Sequence, residues 1–346
     1  MISKEVKIKK KHIKALSLKG ISGFKPKPGC ITFPKKHQYF IVTDIAITGD
    51  APKDFIRYYH YGIGKKANPK SWPLYIAKLG HKHYPIESIT EHLITRLGEV
   101  FGFNMAKSEL AWLGGQIRFL SRYFIKNKCE QGLEHGADLY AGYLNDREFV
   151  EEIENKHKAL DFFTVQFTQE ALLHLFHDEY ETLMTEFLKL LIFDALIGNN
   201  DRHFYNWAVI RNISNKDKPV FSPIYDSARG LFWNDSEEKI RAIFNDKSRL
   251  DAYITKYSEG STPKIGWEGI SKLNHFDLIE KIHTLPFIFN CETMKYVCSD
   301  DTLNEAFSMI DNEFKGLLSP ERKALIKLCI SYRHQRLKKI LTLPHD

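Results

Sequence analysis

At 346 residues the chain can bury one large core or two modest lobes. Hydrophobic residues at 43% and charged residues at 27% are ordinary for a globular protein, and no apolar stretch is long enough to span a bilayer. The net charge of +7 admits a polyanionic partner without requiring one, and the five cysteines (Cys30, Cys129, Cys291, Cys298, Cys329) lack zinc spacing and suit free buried thiols in a reducing cytosol.

The chain opens on Lys4, Lys7, Lys9, Lys10, Lys11 and Lys14, with no apolar core of a signal peptide. Alternation with Val6, Ile8 and Ile13 reads as a strand with one solvated face. Two glycine-bearing stretches, Gly20 to Lys27 and Tyr61 to Lys66, could let backbone amides approach phosphate. Neither has the Walker spacing, which argues against a P-loop NTPase. Apolar runs predict strands at Cys30–Phe33, Tyr39–Val42, Leu74–Leu79 and Ile117–Leu120. One helix stands among them, with Ser88 or Thr90 as N-cap, Leu93, Ile94, Leu97 and Val100 on one face, and Gly102 as its stop. His81 and His83 have no carboxylate or cysteine nearby to complete a metal site.

From about residue 147 the pattern turns helical. Phe162–Phe176 and Glu179–Ile197 are amphipathic, and Ser319 with Pro320 caps a last helix. Trp207–Ile210 and Val220–Tyr225 read as two strands around a polar turn from Arg211 to Lys218. A strand-rich half followed by a helix-rich half predicts an α+β, bilobal fold, and the loop spacing from Asp201 to Asp226 makes that fold protein-kinase-like. Residues 1–125 would form the nucleotide-binding N-lobe and residues 126–346 the helical C-lobe.

The chemistry concentrates between Asp194 and Asp226. The helix ending at Ile197 halts at Gly198, followed by Asp201-Arg202-His203-Phe204-Tyr205-Asn206 and then Tyr225-Asp226. Asp-x-x-x-x-Asn with a second Asp downstream is the spacing of a kinase catalytic loop and its metal aspartate. Asp201 would take the acceptor hydroxyl's proton, and Asn206 and Asp226 would hold Mg²⁺, which needs few protein oxygens beside phosphate. Upstream, Lys78 closes an apolar strand and needs a partner, because an unpaired buried ammonium is costly. Glu91 is the candidate, with Glu87 and Glu99 as rivals. Lys78 would also hold ATP phosphates.

With these residues assembled, the chain resembles the HipA-like serine/threonine kinases, best known as toxins of bacterial toxin–antitoxin pairs. Ile21-Ser22-Gly23-Phe24-Lys25-Pro26-Lys27 is similar to the family's phosphate loop, which favours that stretch over Tyr61–Lys66. Ile76–Leu79 resembles its lysine strand, Thr90 to Gly102 its glutamate helix, and Phe119–Tyr123 its hinge. The resemblance implies that Ser22, Gly23, Phe24, Lys25, Lys27 and Lys78 bind the nucleotide phosphates. It implies adenine held at Ser121, Arg122 and Tyr123, with His203, Asn206 and Tyr225 completing the cofactor site. Ser22 becomes the expected autophosphorylation site. The sequence departs from the family at Lys25, where a glutamine is found, at Tyr205, often a lysine, and at Gly20, often a serine. An insertion is expected around Thr48 to Lys70, and the extra N-terminal subdomain of the longer toxins is expected to be absent.

The expected function is therefore an ATP- and Mg²⁺-dependent kinase of serine or threonine in a protein substrate. A helix-turn-helix antitoxin is the expected partner, and neither a nucleic-acid site nor a membrane segment is expected. Location would be the bacterial cytoplasm, or the host cytosol for a secreted effector. A regulatory pseudokinase and a phosphoinositide-type lipid kinase are the alternatives, since Asp-Arg-His-x-x-Asn also occurs in the latter.

Overall fold

The computed structural model describes residues 8–9, 12–27, 29–43, 51–126, 130–156, 158–212, 217–270, 272–285 and 292–342. Most of the N-terminal lysine run, Cys129, Cys291, residues 48–50 of the expected insertion and residues 213–216 of the expected turn lie outside them.

The N-terminal half is a six-stranded antiparallel sheet in the order β1-β2-β3-β4-β6-β5. Its strands are β1 (Ile8–Lys9), β2 (Tyr39–Val42), β3 (Lys53–Tyr58), β4 (Leu74–Lys78), β5 (Ser108–Leu113) and β6 (Gln116–Arg122). Strand alternation divides the central β4 between two faces. Tyr75 and Ala77 join Ile56, Tyr58, Ala111 and Leu120 under a cover that includes Ile13. Lys78 occupies the opposite face, in register with Phe119 and 5.6 Å from that ring's centroid. On that side the helix α1 (Ile86–Val100) buries Ile86, Ile89, Leu93, Ile94 and Leu97 against Leu110, Ile117 and Phe119.

The C-terminal half is mostly helical: α2 (Gly136–Leu144), α3 (Arg147–Asn155), α4 (Ala159–Phe162), α5 (Val165–Leu175), α6 (Tyr180–Ile197), α7 (Glu237–Phe244), α8 (Lys247–Glu259), α9 (His275–His283), α10 (Glu292–Val297), α11 (Asp300–Glu313) and α12 (Pro320–Leu341). A small sheet orders β7 (Gln131–His135), β8 (Ala208–Asn212) and β9 (Val220–Phe221). Helix α6 is buried on most of its circumference, with α5, α9 and α12 packed around it. A helix apolar on so many sides belongs at the centre of a lobe. It stops at Gly198, whose φ of 67° is left-handed. A Cβ there would also lie 2.7 Å from the Arg333 guanidinium, so a side chain would be strained and would require Arg333 to shift. No described helix is long and apolar enough to cross a membrane.

Several expected boundaries shift, each for a local reason. Helix α1 starts at Ile86, behind Pro85, and neither Ser88 nor Thr90 caps it. The Ser88 hydroxyl instead accepts the Gly80 amide at 3.0 Å, tying the exit of the lysine strand to the helix. Glu87 consequently lies in the first helical turn. Cys30–Phe33 is not a strand. Thr32 makes one bridge to Ala111 between a left-handed Gly29 and Pro34. Strand β9 ends at Phe221, before Pro223, and Ile224 bridges to Met105 in the other half. Thr164 caps α5, so the helix begins later than Phe162. The described part of the expected insertion contains β3, in the middle of the sheet, and the turn that follows it. Cys30 is an exposed thiol, whereas Cys329 is buried.

Candidate active site

Lys78 projects from the end of β4 with its ammonium between two carboxylates. Glu91 Oε1 lies 2.8 Å away on the second turn of α1, and Asp226 Oδ1 lies 2.6 Å away in the segment after β9. Lys78 and Glu91 are buried, whereas the Asp226 side chain is 36% exposed. Burial disfavours the lysine's charge, but Asp226 and Glu91 outweigh it and hold the ammonium above the usual lysine range. Burial also works against the charge on Asp226, yet Lys78 holds its carboxyl down at about 2. Glu91 shares the same ammonium and moves the other way, because burial and the Asp226 charge outweigh Lys78. Glu99, one of its rivals, pairs with Arg96 at the far end of the helix.

Asp201, His203 and Asn206 form one compact loop. Asn206 Nδ2 donates to the Asp201 carbonyl at 2.8 Å and lies 3.2 Å from His203 Nε2. Burial pulls the His203 imidazole below its usual range, against the pull of Asp201. The amide oxygen of Asn206 makes no hydrogen bond among the described residues. It is the acceptor that a cation would use. Arg202 joins this loop to the metal aspartate. Its guanidinium grips Asp194 through Nε at 2.9 Å and Nη2 at 3.1 Å, and Nη1 donates to the carbonyls of both Asn206 and Tyr225 at 2.6 Å. Ser227 Oγ accepts the remaining contact at 2.7 Å. One buried arginine thus sets the backbone of Asn206 against that of Asp226, whose own φ of 55° is left-handed. An amide oxygen and a partly exposed carboxylate suit magnesium, which takes its other ligands from phosphate and water.

On the side expected to hold adenine, two backbone amides are already engaged. The Tyr123 amide donates to the Leu74 carbonyl and the Arg122 amide to the Lys107 carbonyl, both at 2.8 Å, while Ser121 is in register with Ile76 and Ser108. The sheet therefore engages the amides of Arg122 and Tyr123. Phe124 follows past the last registered pair, with its ring 5.8 Å from that of Tyr225. The Tyr225 hydroxyl meets His135 Nδ1 at 2.9 Å.

The loop Gly20–Lys27 is anchored to the segment after β4 and to the C-terminal half. Gly20 and Ser22 exchange backbone hydrogen bonds with His81 and Tyr84, the Ser22 carbonyl accepts the Glu237 amide at 2.9 Å, and the Lys27 amide reaches Gly316. Gly23 is left-handed and Phe24 donates its amide to Ser22 Oγ, while Lys25 and Lys27 are exposed. No hydrogen bond or ion pair joins this loop to Lys78 or Asp226 among the described residues. Ser22 is only 1% exposed, so in this conformation its hydroxyl is shielded. Gly20 has a steric reason to be glycine, since a Cβ would lie 2.1 Å from the Lys82 carbonyl oxygen.

Two residues that sequence reasoning did not assign complete the picture. Glu87, set aside there as a rival of Glu91, accepts the amides of Lys82 and His83. Arg229, three residues beyond Asp226, lies beside both Glu87 and Asp201. Its proximity in sequence to Asp226 was the only signal.

A strand lysine paired to a helix glutamate, set over a lobe that presents Asp, Asn and a second Asp from turns, defines a protein-kinase-like fold. The particular family follows from comparison: the HipA-like C-terminal domain matches residues 45–262, most of the chain, and the chain belongs to this HipA-like kinase family. Serine/threonine-protein kinase CtkA of Helicobacter pylori strain J99 is 23% identical over 157 residues, which are 43% of this chain and 46% of the relative. The aligned part is thus less than half of that relative's length. The crystal structure of the H. pylori proinflammatory kinase CtkA superimposes with a TM-score of 0.61 at 16% identity, covering 83% of this chain and 92% of that one, and shows the shared fold. A complex of HipA, HipB and operator DNA from Shewanella oneidensis MR-1 aligns at a TM-score of only 0.37 and 14% identity, over 87% of this chain and 67% of that one, too distant to bear on the fold.

Proposed function

We propose that the protein transfers the γ-phosphoryl group of Mg²⁺-bound ATP to a serine or threonine hydroxyl of another protein. The observation that carries this is Lys78 held between Glu91 and Asp226, with Asn206 tied to the Asp226 segment through Arg202. Lys78 would hold the phosphates, Asp201 would orient the acceptor hydroxyl and receive its proton, and Asn206 and Asp226 would ligate the metal. Bound Mg²⁺ would neutralise charge on the phosphates. Family membership supports the serine/threonine acceptor, and also a further reading in which the chain is a toxin restrained by a small helix-turn-helix partner. Ser22 stays a candidate phospho-acceptor only if its loop leaves Glu237.

Incubation with γ-labelled ATP, Mg²⁺, a generic protein acceptor and phosphoinositide vesicles tests the reading. Label on protein hydroxyls supports it. Label on lipid alone makes the chain a lipid kinase, and no transfer despite ATP binding makes it a regulatory pseudokinase.

A further inference from the structure

Three cations border the cleft, and their donors are used very differently. Lys78 is held by two carboxylates, and Arg202 by a carboxylate, two carbonyls and a hydroxyl. Arg229 makes two long ion pairs, Nε to Asp201 Oδ2 at 3.6 Å and Nη2 to Glu87 Oε1 at 3.9 Å. Both exceed hydrogen-bond length. Among the described residues its guanidinium donates no hydrogen bond, although its side chain is only 18% exposed. It lies 3.8 Å over the Trp233 ring, which fixes its plane, and its carbonyl accepts the Asn200 amide, next to Asp201. The result is an oriented cation with unused donors beside the candidate base.

We propose that Arg229 is the cation of the transfer step, clamping Asp201 before nucleotide arrives and donating to the γ-phosphoryl oxygens in the transition state. This rests on the kinase reading above. In that step the acceptor oxygen bonds to phosphorus, the bond from phosphorus to the bridging β-phosphate oxygen breaks, the hydroxyl proton passes to Asp201, and ADP leaves. Charge spread over the transferring oxygens needs a positive group next to the base. Between Asp201 and Asn206 the chain offers Arg202, whose donors are engaged, His203, whose two ring nitrogens face the Tyr205 amide and Asn206 Nδ2, and Tyr205, which carries no positive charge. Glu87 belongs to the N-terminal half and Asp201 to the C-terminal half, so Arg229 lies between the two.

The test is steady-state transfer from Mg²⁺-ATP to one generic protein acceptor by the wild type, Arg229→Gln, Arg229→Lys and the double variant Arg229→Gln with Tyr205→Lys. Loss of one preorganised donor predicts a kcat for Arg229→Gln lower by about 10²–10³-fold, with KM for ATP within about threefold. Arg229→Lys should recover part of the rate, and Tyr205→Lys should raise kcat of the Gln variant by about tenfold or more, by returning a charge beside Asn206. Thermal melting of each variant confirms that it is folded. Transfer by Arg229→Gln within about threefold of wild type, or a loss confined to KM, overturns the role of Arg229 and leaves the kinase reading standing. Absence of transfer by the wild type would instead remove the kinase reading, and this inference with it.

Discussion

Replacing Lys78 by Met, alone and together with Glu91→Leu, separates what the ion-pair cluster does for stability from what it does for chemistry. Lys78→Met keeps a long apolar stem and leaves Glu91 buried with Asp226 as its neighbour. Removing one partner of a buried pair costs about 3–5 kcal/mol. The Glu91 arm counts in full, but the Asp226 arm is discounted because that carboxylate is 36% exposed to solvent. The expected loss is therefore near the lower end, about 3 kcal/mol. Glu91 can relieve it by binding a proton, since burial already raises its carboxyl. The folded variant then holds more protons than the unfolded chain, so its deficit should shrink as pH falls from about 7 towards 5. Adding Glu91→Leu removes the stranded charge and should return about 2 kcal/mol, with no return of phosphoryl transfer. Urea unfolding and a γ-labelled ATP assay on the three proteins read both effects. A single variant within about 0.5 kcal/mol of wild type, or a double variant no more stable than the single, would refute the reasoning.

Asp201→Asn should lower transfer by about 10²–10⁴-fold while ATP still binds, and transfer within about threefold of wild type would remove Asp201 from the base role. Asp226→Ala should abolish the Mg²⁺-dependent tightening of ATP binding measured by calorimetry; an unchanged Mg²⁺ effect would make Asp226 a turn residue. Arg202→Lys, which cannot serve Asp194, both carbonyls and Ser227 together, should cost about 3–5 kcal/mol in urea unfolding, and a cost under about 1 kcal/mol would contradict its place as the connector. His275 is buried, and burial followed by Arg333 holds its imidazole down at about 3. The unfolded chain, with a histidine near 6.5, takes the proton first, so this stability is intact above about pH 6.5 and falls by about 2 kcal/mol at pH 5. Melting curves of His275→Gln should show a shallower loss between those values than wild type, and an identical slope would count against it.

The parts of the site that were legible in sequence are those where burial and charge conflict. Lys78 on an apolar strand requires a counter-charge, and that requirement alone leads to a helix glutamate. The turn from Gly198 to Asn206 was equally legible, because the apolar run of α6 halts there at Gly198-Asn199-Asn200, although its sequence reads as amphipathic and the helix is buried on most of its circumference. What failed depended on which backbone groups were already engaged. Ser88 looks like a cap, but its hydroxyl is taken by the Gly80 amide. The position of the Ser22 loop depends on a long-range bond to Glu237, which no local pattern encodes. Arg229 was missed for the same reason, since both of its acidic partners come from outside its own segment.

The most direct measurement is a crystal structure with Mg²⁺ and a non-hydrolysable ATP analogue. The account predicts a metal ion ligated by Asn206 Oδ1 and Asp226, Lys78 on the phosphates, and the γ-phosphoryl group facing Asp201 with Arg229 turned towards it. A nucleotide bound away from Lys78, or a cleft in which Asn206 and Asp226 take no metal, would contradict it.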